Sequence, residues 1–146
     1  MSTPEQRRLA DTLSRVDNDT ASKVMEWVGW LETERRASRH TMDAYQRDMR
    51  AFVEFLSDHV GATLTRDHLE SLSSRDMRAW LSHESEDGKS PASIARALSV
   101  VRSYFRWTAR QGYMENDAVL SIRNPKQPTV VPKALTISEV TDLFKA

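Results

Sequence analysis

Between Ser90 and Gly112 the side chains divide cleanly by helical phase. At about 100° per residue, Ile94, Ala97, Leu98, Val101, Tyr104, Phe105 and Thr108 share one side, and Arg96, Ser99, Arg102, Ser103, Arg106 and Arg110 share the other. Both ends are marked: Ser90 can cap the free amides of a first turn, Pro91 suits the first helical position, and Gly112 suits the left-handed stop. The pattern repeats from Ser38 to about His59, with Gly61 just beyond. There Met42, Tyr45, Met49, Phe52, Val53 and Leu56 form the apolar arc, and Arg36, Arg39, Arg47 and Arg50 gather opposite, diluted by Asp43 and Glu54.

Around these two helices the pattern predicts shorter elements. Val24, Trp27, Val28 and Leu31 follow the i, i+3, i+4, i+7 spacing of a helix over about 21–36, capped by Asp19 or Thr20. Thr65 to Leu72 predicts a single turn with Leu69 and Leu72 inward. Ser73 or Ser74 then caps a short helix carrying Met77, Trp80 and Leu81, which gives way to an acidic loop, ESEDGK. Val119 and Ile122 mark a short helix after Gly112. No stretch alternates in the manner of a strand, so the fold class is all-α, a bundle of four to five helices.

The two ends differ in character. Residues 1–18 carry only Leu9, Leu13 and Val16 at helical spacing, a thin stripe that predicts a flexible leader or frayed helix before a helical domain over 19–123. The stretch NPKQPTVVPKAL, with three prolines, predicts an extended linker over 124–135. Thr136 and Glu139 then form a capping box, with Leu135 placed to staple onto Val140. This short apolar start over 136–146 is expected to belong to a second domain.

Composition narrows the chemistry. Lysine plus arginine equals aspartate plus glutamate across the 146 residues, so any case for a polyanion partner rests on the placement of charge. The absence of cysteine removes disulfides and thiol chemistry and suits a reducing compartment. No apolar run approaches a membrane span and no signal-peptide core is present, so a cytoplasmic protein with no membrane partner is expected. His40, His59, His68 and His83 lack ligand spacing, the four glycines are isolated, and no carboxylate pair stands out; no metal, cofactor or catalytic residue is expected in this chain. Arginine forks bind phosphate oxygens and guanine edges, so two arginine-faced helices suit the surface of a nucleic acid.

Three segments carry a resemblance: ERRASRHTMDAYQRDMRAFVEFL, SPASIARALSVVRSYFRWTARQGYMENDAVLSI and NPKQPTVVPKALTISEVTDLF. Their T-x-x-x-Y-x-x-D pattern, S-I-A-R-A-L-S run and PK...PK linker resemble the amino-terminal core-binding domain, SAM-like in fold, of the tyrosine site-specific recombinases (the phage integrase family), and within them the Xer group. The resemblance implies an arm that clamps one face of a double-stranded DNA recombination site, with the Ser38 and Ser90 helices in the major groove. It places Arg39, His40, Thr41, Asp43, Ala44 and Arg47 of the first helix, and Ala92, Ser93 and Arg96 of the second, at groove-facing positions. Ser90, Arg50, Ser99, Arg102 and Arg106 complete the candidate set from the cap and the polar faces. The resemblance also implies partner recombinase subunits in a tetramer, chromosome dimer resolution by strand exchange, and a catalytic domain, with tyrosine nucleophile, that lies outside this sequence. Where the family has Asn-Pro-Ala this chain has Asn116, Asp117 and Ala118, which predicts a looser start to the last helix. Two other readings share the pattern: an integrase of a phage or mobile element with the same arm, and a helical protein-binding adaptor anchored by Trp30 or Trp107.

Overall fold

The computed structural model describes residues 3–124. The chain folds into α1 (Pro4–Thr12), a 3-10 turn (Leu13–Arg15), α2 (Asn18–Thr33), α3 (Arg39–Val60), α4 (Arg66–Glu70), α5 (Ser74–Glu86), α6 (Pro91–Arg110) and α7 (Asp117–Ser121). Among the described residues there is no strand, only an isolated parallel bridge between Val16 and Leu64. The expected linker beyond Asn124 and the capped segment over 136–146 lie outside the described residues.

The long helices begin and end where their sequence signals lie. Ser38 accepts from the Thr41 amide and Ser90 from the Ser93 amide, each at 3.1 Å, satisfying first-turn donors that have no helical partner. Gly61 closes α3 in the left-handed conformation at φ 72°, a region that costs a residue with a Cβ about 1 kcal/mol or more. Arg36 takes that conformation at φ 51° without being glycine, in the turn where the Ala37 amide donates back to the Leu31 carbonyl.

α3 runs through the middle, against α1, α2, α5 and α6. Its Phe52 ring meets the edge of Trp80 at 4.8 Å and of Phe105 at 6.5 Å, and Trp27 of α2 meets Tyr104 of α6 at 5.5 Å. All five rings are buried. Burying such a side chain contributes about 1.5–3 kcal/mol, and edge-on pairing adds about 0.5–1.5 kcal/mol, so this aromatic knot fixes how α3 and α6 sit together. α6 buries a wider arc than its main stripe, because α2, α3, α5 and α7 all pack on it. Val100 and Trp107 are therefore buried as well, and Trp107 is not available as a surface anchor.

Four local expectations are corrected. The segment read as a flexible leader is a docked helix: Thr3 and Gln6 cap α1 reciprocally, Leu9 is fully buried, and Leu13 and Val16 follow it into the core. Backbone bonds complete the docking, since the Asp17 amide donates to Leu64 and the Leu64 amide to Arg15. The thin stripe suffices because the chain supplies main-chain pairing in addition to apolar area. α2 begins earlier than expected, on Asp17, whose carboxylate accepts from the Thr20 amide at 2.9 Å. The acidic loop is partly helical, because α5 continues to Glu86 and buries Glu84 against Lys89 at 3.2 Å. The start of α7 is held firmly despite the missing proline. Asn116 is buried, accepts from the Val119 amide, and donates to the carbonyls of Leu69 at 2.8 Å and Leu72 at 3.0 Å.

Candidate nucleic-acid interface

The Ser38 and Ser90 caps give α3 and α6 the same first turn. In each, the capping hydroxyl also donates to a hydroxyl three residues on, Ser38 to Thr41 and Ser90 to Ser93, both at 3.0 Å. Arg39 and His40 are exposed beside the first cap, and Ala92 beside the second, while Thr41, Asp43, Ala44 and Ser93 are half-buried. The short side chains of Thr41, Ala44, Ala92 and Ser93 let a groove wall approach these helix starts, where the helix dipole favours anions.

One contact joins the two helices through their polar sides. Arg96 Nε donates to Asp48 Oδ2 at 2.9 Å and Arg96 Nη2 to Asp48 Oδ1 at 3.2 Å. Asp48 is nearly buried, whereas about half of the Arg96 side chain is exposed. The hydrogen bonds that Arg96 donates to Asp48 hold its guanidinium above its ordinary pKa, against a smaller opposing effect of burial. Because Asp48 takes the Nε–Nη2 edge, the parallel donors of the Nη1–Nη2 edge stay free, and two parallel donors are what the O6 and N7 of guanine accept. Asp48 is the final residue of the T-x-x-x-Y-x-x-D pattern. The motif was visible in the sequence, but its partner 48 positions later was not.

The remaining arginines fall into two groups. Arg47 and Arg50 turn toward α1, where Glu5 lies 3.9 Å from Arg47 Nε and 4.0 Å from Arg50 Nη2, and 2.8 Å from Arg8 on its own helix. Arg50 is also 3.9 Å from Glu54, whose other neighbour is the Thr12 hydroxyl at 3.1 Å. Sequence reasoning missed Glu5 and Arg8 because it treated their segment as a leader. Along α6, Ser99 and Arg106 are exposed and Arg102 is half-buried. Burial, and secondarily the Arg106 charge, lower the Arg102 pKa, and its Nε is buried without a hydrogen-bond partner in the protein. A guanidinium in that setting gains more from an anion than a fully hydrated one does.

Among the described residues, no group of three or more histidine, cysteine or acidic side chains is placed to hold a metal, and no helix is long and apolar enough to cross a membrane. His59 is bound to Asp76 at 2.9 Å, and Tyr104 is buried, which pushes its hydroxyl pKa far up. The far end of α3 lines a cleft in which Glu54, Asp58, Glu84 and Asp87 outnumber Lys89, His59 and His83, a surface less suited to a polyanion.

The described residues thus form an all-α body in which two serine-capped helices are tied by an Asp–Arg pair. The chain belongs to the phage integrase N-terminal SAM-like domain family, whose profile matches residues 24–112. Its relatives are more particular: it is 35% identical over 127 residues to tyrosine recombinase XerC of Rhodospirillum centenum, covering 87% of this chain and 37% of that protein. It is 33% identical over 128 residues to XerC of Brucella suis biovar 1, covering 88% of this chain and 41% of the relative. It is 30% identical over 125 residues to XerC of Rickettsia bellii, covering 86% and 41%. The chain thus spans about two fifths of the length of these relatives. No solved structure matches.

Proposed function

We propose that this chain is the DNA-binding arm of a XerC-like tyrosine recombinase, laying the first turns of α3 and α6 in the major groove of a recombination half-site. The observation that carries the reading is the Asp48–Arg96 pair, which fixes the two helices to each other and leaves a free guanidinium edge beside the exposed first turns. Arg39, His40, Thr41, Asp43, Ala44, Ser90, Ala92 and Ser93 would meet base edges or the adjacent backbone, and Arg47, Arg50, Ser99, Arg102 and Arg106 the phosphates. In the whole recombinase, partner subunits of the XerD kind in a tetramer and a catalytic tyrosine outside this sequence would perform cytoplasmic strand exchange that resolves chromosome dimers. An integrase of a phage or mobile element would use the same arm on another target. The adaptor reading keeps only Trp30, half-buried beneath Arg35 at 5.7 Å, since Trp107 lies in the core.

Salt separates the readings. An arm that neutralises several phosphates loses affinity as salt rises, with a slope of log K against log salt of about −0.9 per phosphate. Fluorescence anisotropy on a labelled duplex should give a slope of several units with weak absolute binding, because this arm would hold only one face. A slope near zero would sink the DNA reading.

A further inference from the structure

α1 brings a carboxylate to the arginines that α3 would offer to DNA. Glu5 is almost fully buried, and its two oxygens are shared among Arg8, Arg47 and Arg50. The arrangement is loose where it meets α3. Only Arg8 stands at hydrogen-bond distance, at 2.8 Å, whereas Arg47 and Arg50 stop at 3.9 and 4.0 Å. Glu5 Oε2 and Arg50 Nε are each buried without a hydrogen-bond partner in the protein. Such unmet groups gain when a better partner arrives. Arg47 keeps about half its side chain in solvent and can leave Glu5 at little cost.

We propose that Glu5 stands in for a DNA phosphate in the free protein, so that the duplex must displace it to engage Arg47 and Arg50, and α1 thereby sets the affinity of α3 for nucleic acid. This rests on the reading of α3 as a DNA-binding helix. A phosphodiester carries the same charge as a carboxylate, presents its oxygens to an arginine fork, and comes as a continuous rail that can engage both arginines. The carboxylate competes well enough to quiet the patch and too weakly to close it. The chain's net charge of zero fits a surface whose cations are masked until a polyanion is present.

The test compares Glu5→Gln with the unaltered 146-residue chain on a fluorescein-labelled duplex of arbitrary sequence, across a salt series. Removing a competitor worth one or two loose, partly exposed ion pairs should tighten binding about 3- to 10-fold at low salt. The slope of log K against log salt should steepen by up to about one unit for each arginine released. Unchanged or weaker binding by a folded Glu5→Gln protein would overturn the proposal and leave Glu5 as a pin for α1. Should circular dichroism show that Glu5→Gln loses helix, Glu5→Asp is the variant read instead. It keeps an acid on α1 but draws it back from Arg47 and Arg50, which already stand at 3.9 and 4.0 Å, and it should tighten binding by a smaller factor; no gain there would equally reject the proposal. Arg47→Gln separates the two levels. If it leaves binding unchanged, α3 does not hold DNA through Arg47 and the functional reading fails there. If it weakens binding but Glu5→Gln does not tighten it, only the competition fails. In the double variant the gain from Glu5→Gln should shrink.

Discussion

Arg96 is where structure alters the meaning of a residue most. On a helical wheel it is one cation in a row; in the fold it is half of a pair whose other half, Asp48, is almost buried on α3. The pair gives Arg96 a fixed plane, and a fixed fork distinguishes reading a base from touching a phosphate. Arg96→Ala should therefore cost about 1–3 kcal/mol on a half-site recovered by selection from random duplexes, and less on a scrambled one. Arg106→Ala, which removes an exposed charge, should weaken both DNAs alike. Asp48→Asn should follow Arg96→Ala in losing discrimination, and should lower the melting temperature, while the salt slope stays near that of the unaltered chain. Asp48→Glu, which keeps the carboxylate, should recover part of the discrimination. Loss of melting temperature with discrimination intact would make the pair a simple cross-link between helices.

At the scale of elements, the strong signals were those written locally. The Ser38 and Ser90 caps, Gly61, Gly112 and the two apolar arcs placed α3 and α6 because each is decided within a few residues of itself. What escaped depends on distant partners. α1 has a narrow stripe by itself, and its order comes from Leu64 across the chain and from Thr12 meeting Glu54. Asn116 likewise holds α7 through carbonyls at the end of α4 and just beyond it, Leu69 and Leu72, so the substitution at the neighbouring position does not loosen it. The candidate site divides along the same line: its exposed first turns were legible, whereas Asp48 behind Arg96 and Glu5 among the arginines were not. The docking of α1 has a direct measure. Leu9→Ala empties a fully buried site, so it should cost about 2–5 kcal/mol in urea unfolding. A mobile leader would make the same substitution neutral.

For the whole molecule, zero net charge conceals an uneven distribution. Arginines border the first half of α3 and the length of α6, while carboxylates line the cleft at the far end of α3. Carboxylate ties between helices weaken in acid, while every cation keeps its charge. Asp76 is the clearest case. It accepts from the Ser73 amide at 2.8 Å and pairs with His59 of α3 at 2.9 Å, and these bonds, the Ser73 one foremost, hold its carboxyl below the ordinary aspartate value. A group whose folded pKa is depressed contributes stability above its unfolded pKa, about 3.9, and loses it as pH falls through the folded value. The melting temperature should thus hold from neutrality to about pH 4 as far as Asp76 is concerned, then fall. Asp76→Asn should melt lower than the unaltered chain at neutral pH, because a neutral amide makes both contacts more weakly than a carboxylate does, and the two curves should converge as the pH drops below about 4. Parallel curves over that range would show that Asp76 titrates alike in the folded and unfolded chain, and that the tie between α3 and α5 at His59 adds nothing to stability.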